Sequence, residues 1–420
     1  MSASAPTRLA RRLGTTDAVV IGLGSMIGAG VFAAFGAAAQ AAGNALMLGL
    51  AIAALVAYCN ATSSAQLAAI YPESGGTYVY GRKQLGCFWG FLAGWGFVIG
   101  KLASCAAMAM TFGSYASPAF PRPFALGAVV LLTLVNYRGV TKTVALSKGI
   151  ITVVLLALAI VVAAAWFGGA ADVGRLWPLQ GADAYGVLQS AGFLFFAFAG
   201  YARLATLGEE VMDPQRTIPR AIPIALGLAL VVYTVIAVSA LAGAGAAAIA
   251  TSPAPLAAVV EAGRLGWLSP AVRVGAAVAS LGALLSLIAG VSRTAFAMAA
   301  NRDLPHFFAA VHPRYRVPHR AELAVGLIVA VVSAAADVRS AIGFSSFTVL
   351  TYYAIANASA WTLPNNERRW PRALAGLGLL GCLTLAFTLP LASVVAGAAL
   401  LAVGAMVYLV LSRAKASSTG

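Results

Sequence analysis

Apolar runs of span length recur from one end of this chain to the other, separated by short connectors. A bilayer core about 30 Å thick takes roughly 20 apolar residues to cross as a helix. Inside that core every peptide group must be hydrogen-bonded within its own segment. The pattern therefore restricts the chain to an all-α integral membrane bundle. It reads as about twelve spans: 15–40, 44–70, 87–116, 123–137, 144–168, 185–207, 219–244, 267–299, 321–336, 340–361, 373–389 and 392–411. The fourth is the shortest. No stretch between them is polar enough for a separate soluble domain. One membrane domain is expected over 15–412, with short polar tails at 1–14 and 413–420. Only 9% of the residues are charged, against about 25% in a soluble domain.

The net charge of +15 raises the question of nucleic acid, and the position of the cations answers it. Counted on alternate sides of the twelve spans, 20 of the 27 Lys and Arg residues fall on the side shared by both termini, from Arg8, Arg11 and Arg12 to Arg413 and Lys415. The opposite side holds Arg122, Arg175, Arg264, Arg273 and Arg339. Positive loops stay in the cytoplasm, so both termini are expected inside the cytoplasmic membrane. The basic balance is a topology signal with an affinity for anionic lipid, not a nucleic-acid footprint. The apolar run after Arg12 is too long for a signal peptide and reads as the first span. Two cations remain, Lys101 and Arg203, both deep in spans.

The first span contains IGLGSMIGAGVF, residues 21–32, with Gly22, Gly24, Gly28 and Gly30 together. Each glycine weakens a helix by roughly 1 kcal/mol relative to alanine. Irregular backbone at membrane depth survives only when it is buried in protein or lines a wet cavity. A deliberately broken helix exposes N–H groups at the start of one half and carbonyls at the end of the other. The first attract a carboxylate and the second an ammonium. A zwitterion offers both at amino-acid spacing. Gly24-x-x-x-Gly28 equally fits close helix packing, and this stretch alone does not choose between the two readings.

A second interruption favours the break. Span six runs FLFFAFAGYARLATLGEEVMDPQRTIPRAI, residues 193–222, with Gly200 in mid-span, Arg203 at membrane depth and a polar end. It lies five spans after the first. Interrupted segments at matching positions of two halves point to a transporter binding site. An odd number of spans per half makes the halves inverted. The expected architecture is a 5+5 inverted repeat, about 15–168 and 185–361, with discontinuous helices one and six and two extra C-terminal helices at about 373–411.

Four stretches carry a family resemblance. GSMIGAGVF (24–32), YPESGGTYVYGR (71–82), GEEVMDPQRTIPRAI (208–222) and NRDLPHFFAAVHPRYRVPHRA (301–321) fall in order in the first helix and in the loops after spans two, six and eight. In this respect the chain resembles the amino acid/polyamine/organocation permeases, which have the leucine-transporter fold. The resemblance covers about residues 10–412. It implies that a substrate carboxylate meets the N–H groups of Gly28, Ala29 and Gly30. The substrate ammonium would meet carbonyls of Met26, Phe196, Ala197 and Ala199. Phe196, Phe198 and Tyr201 would wall or gate the pocket.

The chain departs from that family where coupling is concerned. Ala202 and Arg203 follow Tyr201, where many relatives carry an acidic residue. Span five, GIITVVLLALAIVV (149–162), lacks the lysine of some proton-coupled members. Charges at membrane depth usually face the interior and are functional, so Lys101, Arg203 and Glu210 remain as gating or coupling candidates. Of these Lys101 is the better proton sensor, because a buried lysine can lose its proton whereas arginine stays charged. Glu209 and Glu210 with Arg216 are either a cytoplasmic gate or a solvated loop, and Glu73 has the same two readings.

His306, His312 and His319 share one arginine-rich loop without metal-ligand spacing, and Cys59, Cys87, Cys105 and Cys382 read as small residues in or beside spans. No metal site and no cofactor are expected, and a proton or ion gradient would supply the energy. Paired carboxylates, a Ser/His/Asp set and a P-loop are all missing from the sequence, which leaves an enzyme or an ATP-driven pump unsupported. The expected pocket holds Met, Ala and Phe with a fixed cation nearby and no acidic side chain. A neutral amino acid fits best, and an anionic one fits if Arg203 reaches the site. The expected activity is secondary transport of a free amino acid, by proton-linked uptake or exchange. An exporter or antiporter of amino acids or amines, and a sensor that binds without transport, are the alternatives.

Overall fold

A computed structural model describes residues 13–73, 75–139, 144–177, 183–201, 204 and 211–417. Helices dominate the described residues. The first expected span is two helices, α1 (Thr15–Met26) and α2 (Ala29–Ala42), and α3 (Leu46–Ile70) follows through a 3-10 turn. A short helix, α4 (Thr77–Gln84), precedes the long α5 (Cys87–Ala116). Next come α6 (Pro121–Tyr137), α7 (Val144–Phe167) and α8 (Ala184–Phe198), the last running into a 3-10 turn at Ala199–Tyr201. The second half continues with α9 (Pro214–Ala244), the short pair α10 (Ala246–Thr251) and α11 (Pro255–Glu261), and α12 (Ser269–Ala300). It ends with α13 (His319–Ala335), α14 (Val338–Trp361), α15 (Arg372–Thr388) and α16 (Leu391–Ser417).

Local chemistry sets these bounds. Gly43 (φ 54°), Gly76 (φ 56°) and Gly86 (φ 101°) occupy left-handed backbone where one helix must stop and the next begin. Asp183 accepts the Gly186 N–H at 2.7 Å to cap α8, and Asp337 accepts that of Ser340 at 2.9 Å to cap α14. Pro214 starts α9, where its missing N–H is harmless.

Among the described residues, seven helical stretches are long and apolar enough to cross a membrane, and α6 and α15 are shorter apolar helices. The α14 helix falls outside both groups although it matches the expected span 340–361. Ser345, Ser346, Thr348, Tyr352, Tyr353 and Asn357 make it polar, and all six are buried in protein. Burial grades the bundle: 72% of the apolar window of α5 is buried against 11% for α16. The α5 helix is therefore central, packed on α12 and α14. The α16 helix turns its apolar side chains outward, as Met406, Leu409 and Val410 show. The helical pair α10–α11 was not expected. It lies over α2 and is fastened there by Tyr115, whose hydroxyl donates to the Phe32 carbonyl at 3.0 Å and accepts the Leu256 N–H at 3.1 Å.

The two interrupted segments lie backbone against backbone. A Cβ at Gly30 would stand 2.8 Å from the Ala197 Cα. One at Gly200 would fall on the Ser25 carbonyl and 2.7 Å from the Met26 nitrogen. Both readings of the glycine cluster thus hold at different positions: α1 and α2 part at Ile27–Gly28, while Gly30 and Gly200 permit close approach. Gly24 is different, because nothing stands within 4 Å of its added Cβ. Gly200→Ala should lower stability by about 1–3 kcal/mol through overpacking. Gly24→Ala should be neutral or stabilising by up to roughly 1 kcal/mol from helix propensity. Thermal unfolding of the two variants in the same detergent checks the contrast, and equal midpoints would refute it.

Candidate substrate site

The first break is short and well defined. Ile27 leaves helical geometry at φ −79°, ψ 56°, and Gly28 follows at φ −111°, ψ −146°. At the end of α1 the Met26 carbonyl has lost its helical partner. At the start of α2 the first-turn amides, which include those of Ala29 and Gly30, have no carbonyl four residues back within the helix. Three residues thus separate an acceptor from donors. The Gly28 amide is not free for a ligand here, because it donates back to the Met26 carbonyl at 2.8 Å.

On the other side, α8 stops at Phe198 and tightens into the Ala199–Tyr201 turn. Phe196, Ala197, Phe198 and Ala199 are all buried. Their neighbour is Tyr233 of α9, a residue that sequence reasoning missed. Its hydroxyl lies 2.6 Å from the Met26 carbonyl oxygen and 2.9 Å from that of Ala197. A phenol has one proton, so the two carbonyls share one donor. The Tyr233 ring meets Phe198 edge to face at 5.0 Å, which fixes the hydroxyl between the breaks. Tyr353 of α14 approaches in the same manner, with its hydroxyl 3.4 Å from the Ala199 carbonyl. Its ring packs on Tyr201 at 5.0 Å. Three of the four carbonyls expected to face an ammonium, those of Met26, Ala197 and Ala199, therefore meet tyrosine hydroxyls. A signal for Tyr233 was present in VVYTV: a tyrosine in an apolar span needs a partner for its hydroxyl.

Other expected residues are more scattered. Gly28 faces α12, with Ala283 Cβ 3.6 Å from its added Cβ. Tyr201 is fully buried beneath Tyr353, not at an open mouth. Lys101 is 8% exposed on the central helix α5, with its ammonium 5.9 Å from the centre of the Phe97 ring. Among the described residues no carboxylate comes within 4 Å of it. Arg203, Glu209 and Glu210 lie outside the described residues. Arg216 pairs with exposed Asp213 at 3.6 Å, and Glu73 is exposed. His312 stacks with Tyr315 at 4.7 Å and meets His319 at 5.3 Å, forming an aromatic cluster with Tyr137. Cys59, Cys105 and Cys382 are buried and Cys87 is exposed.

Tyr233→Phe removes a donor from two buried carbonyls. It should cost about 1–3 kcal/mol, the usual penalty for a buried group that loses its partner. A melting temperature in detergent equal to that of the unsubstituted protein would show that water already satisfies those carbonyls.

The family model described as amino acid permease matches residues 13–415. A Mycobacterium tuberculosis protein named an uncharacterized transporter is 59% identical over 99% of this chain and 95% of its own length. The branched-chain amino acid permease BcaP of Bacillus subtilis is 24% identical over 96% of this chain and 94% of its own length. Human cationic amino acid transporter 4 is 28% identical over 84% of this chain and 60% of its own length.

Proposed function

The chain belongs to the amino acid permease family of the amino acid/polyamine/organocation superfamily, and from that premise we propose that it moves a free neutral amino acid across the cytoplasmic membrane by alternating access. The reading includes twelve spans with both termini cytoplasmic and an inverted 5+5 repeat centred on the two breaks. The observation that carries it is the shared proton at Tyr233. Two carbonyls from opposite breaks converge on one neutral donor. A substrate ammonium brings three donors and serves Met26, Ala197 and Ala199 better than the hydroxyls do. The substrate carboxylate then lies against the first-turn amides of α2 at Ala29 and Gly30, with the Gly28 amide freed as the Met26 carbonyl turns to the ammonium.

The charge class follows from what surrounds this point. Among the described residues only two carboxylates are buried, Asp303 and Glu322. Asp303 is bound by Arg82 at 2.7 Å, and Glu322 sits in the first turn of α13, beside the His306–Pro318 loop. Neither belongs to a helix that carries a break. Among the described residues, a cationic side chain at the breaks would meet neither of these buried carboxylates. The relatives' names span branched-chain and cationic amino acids, so similarity alone does not choose, and the buried charges favour a neutral substrate. Lys101 is the coupling candidate, since it is buried and, among the described residues, has no carboxylate within 4 Å.

Reconstituted vesicles test the reading. Competition of uptake by the twenty amino acids, with and without a pH gradient, should select neutral ones. Saturable binding without flux would identify a sensor instead. Gly28→Val should abolish binding while the protein still folds, because the first side-chain atom at this position meets only ordinary contacts. Normal uptake by that variant would remove the carboxylate site. Lys101→Gln should flatten the pH dependence of uptake, and an unchanged profile would clear Lys101 of coupling.

A further inference from the structure

Two of the four recognisable stretches, YPESGGTYVYGR and NRDLP, have no part in the site, yet the fold brings them together. Asp303, just beyond α12, is 3% exposed. Its Oδ2 accepts the Tyr78 hydroxyl at 2.8 Å and Arg82 Nη1 at 2.7 Å, both from α4. Asn301 donates to the Tyr78 oxygen at 3.1 Å, and the Arg82 guanidinium lies 5.4 Å from the centre of the Tyr78 ring. Arg302 between them holds a left-handed φ of 58°, unusual for a residue with a side chain. Burial, with the Asp303 carboxylate beside it, pushes the Tyr78 hydroxyl up to about 12, so it stays a donor. The α5 helix is shaped to receive α4. A Cβ at Gly90 would stand 2.7 Å from the Arg82 nitrogen, and one at Gly94 would stand 2.7 Å from the Tyr78 ring.

The other end of α4 is tied inward. The Thr77 N–H donates to the Tyr352 hydroxyl at 3.0 Å. Tyr352 packs edge to face on Tyr353 at 5.2 Å. Tyr353 is the residue whose hydroxyl reaches the Ala199 carbonyl. Hydrogen bonds and ring contacts, with the backbone of α4 between them, thus run from the Arg82–Asp303 ion pair to the 3-10 turn after α8.

We propose that α4 is a positioning relay, in which the Asp303 clamp fixes the helix and Tyr352 and Tyr353 hold the Ala199 carbonyl in place for the substrate ammonium. Arg82, Asp303 and Tyr352 are then positioning residues that never touch the substrate. The inference rests on the proposed function for its effect on binding, but not for its effect on the turn itself.

Asp303→Asn keeps the shape of the clamp and loses its charge. Tyr352→Phe keeps the packing and loses the acceptor for Thr77. In the full chain, hydrogen–deuterium exchange of residues 196–201 should rise in both variants. Substrate Kd should weaken by roughly five- to tenfold in each, the scale of mutations along a coupled network. The double variant should be no worse than the more affected single one, because both cut one chain of contacts. Restoring opposite charges by Arg82→Asp with Asp303→Arg should recover part of the affinity. Unchanged exchange at 196–201 overturns the relay, as do fully additive losses. Should Asp303→Asn fail to fold, Tyr352→Phe carries the test alone. Raised exchange in a protein that binds none of the twenty amino acids leaves the relay standing and refutes the proposed substrate.

Discussion

A peptide carbonyl at mid-bilayer that has lost its helical partner must find a proton, because lipid offers none. The structure depends on how that need is met at Met26, whose carbonyl Tyr233 joins to that of Ala197. Met26 ends α1 and Ala197 lies in the last turn of α8, and one hydroxyl proton from Tyr233 stands between them. The Met26 carbonyl also accepts the Gly28 amide at 2.8 Å, so the hydroxyl proton is shared between a carbonyl that has a second donor and that of Ala197. This sharing is set up where α1 ends inside the bundle, and it requires no charged side chain. Close packing of the two segments is a consequence. The carbonyls converge only because Gly30 and Gly200 let the backbones approach to a distance at which any Cβ would intrude.

The periphery keeps that centre fixed from both ends of the bundle. Tyr115 ties α11 to the start of α2 through the Phe32 carbonyl. Asp17 of α1 pairs with Lys148 of α7 at 3.2 Å. An exposed pair of this kind is worth little in stability, so its interest is where it acts, on the half-helix that ends at Met26. Buried Asp303 is different. Leaving either member of such a pair uncompensated is expensive, so the clamp on α4 behaves as a fixed point. Tyrosines do most of the joining: Tyr115, Tyr233, Tyr352 and Tyr353 each pack an apolar ring among helices and place a hydroxyl on the main chain of another segment. This division of one side chain between packing and hydrogen bonding suits a bundle in which ionised groups are costly.

Much of the scaffold was legible because it depends on local periods and on the length of apolar runs. The long helices fall on expected segments, whereas the short α4 forms in the stretch read as the loop after span two, and the break at Ile27–Gly28 sits inside the glycine cluster that announced it. What escaped the sequence depends on partners remote in the chain. Tyr233 is 207 residues from Met26, and no local pattern links them. Asp303 is 221 residues from Arg82, although both stretches were recognisable on their own. The pair α10–α11 escaped because Ala246–Thr251 continues the small apolar composition of α9, and only Gly245, at φ 80°, separates them. The α14 helix shows the reverse error of hydropathy: its serines, threonine, tyrosines and asparagine look unsuited to a membrane only when the lipid is taken to be their neighbour. The Gly28 amide, expected to be open to a carboxylate, is occupied by Met26 because a turn that tight brings its own acceptor within reach.

Why a tyrosine should stand at this point, and not a charged residue, follows from the competition it must lose. A fixed ammonium between Met26 and Ala197 would satisfy both carbonyls fully and would leave nothing for a ligand to improve. A carboxylate would repel them. A neutral hydroxyl holds the two carbonyls together with one proton, and on the proposed reading it yields to a group with three. On that reading the hydroxyl and the ammonium differ in how well they satisfy the carbonyls, and differential affinity of that kind is what allows a ligand to shift a conformational equilibrium. The same reasoning explains why the expected contact residues are alanine, glycine and phenylalanine. On the proposed reading main-chain dipoles meet the charges of the substrate, and the side chains, Ala283 beside Gly28 among them, are left to define shape.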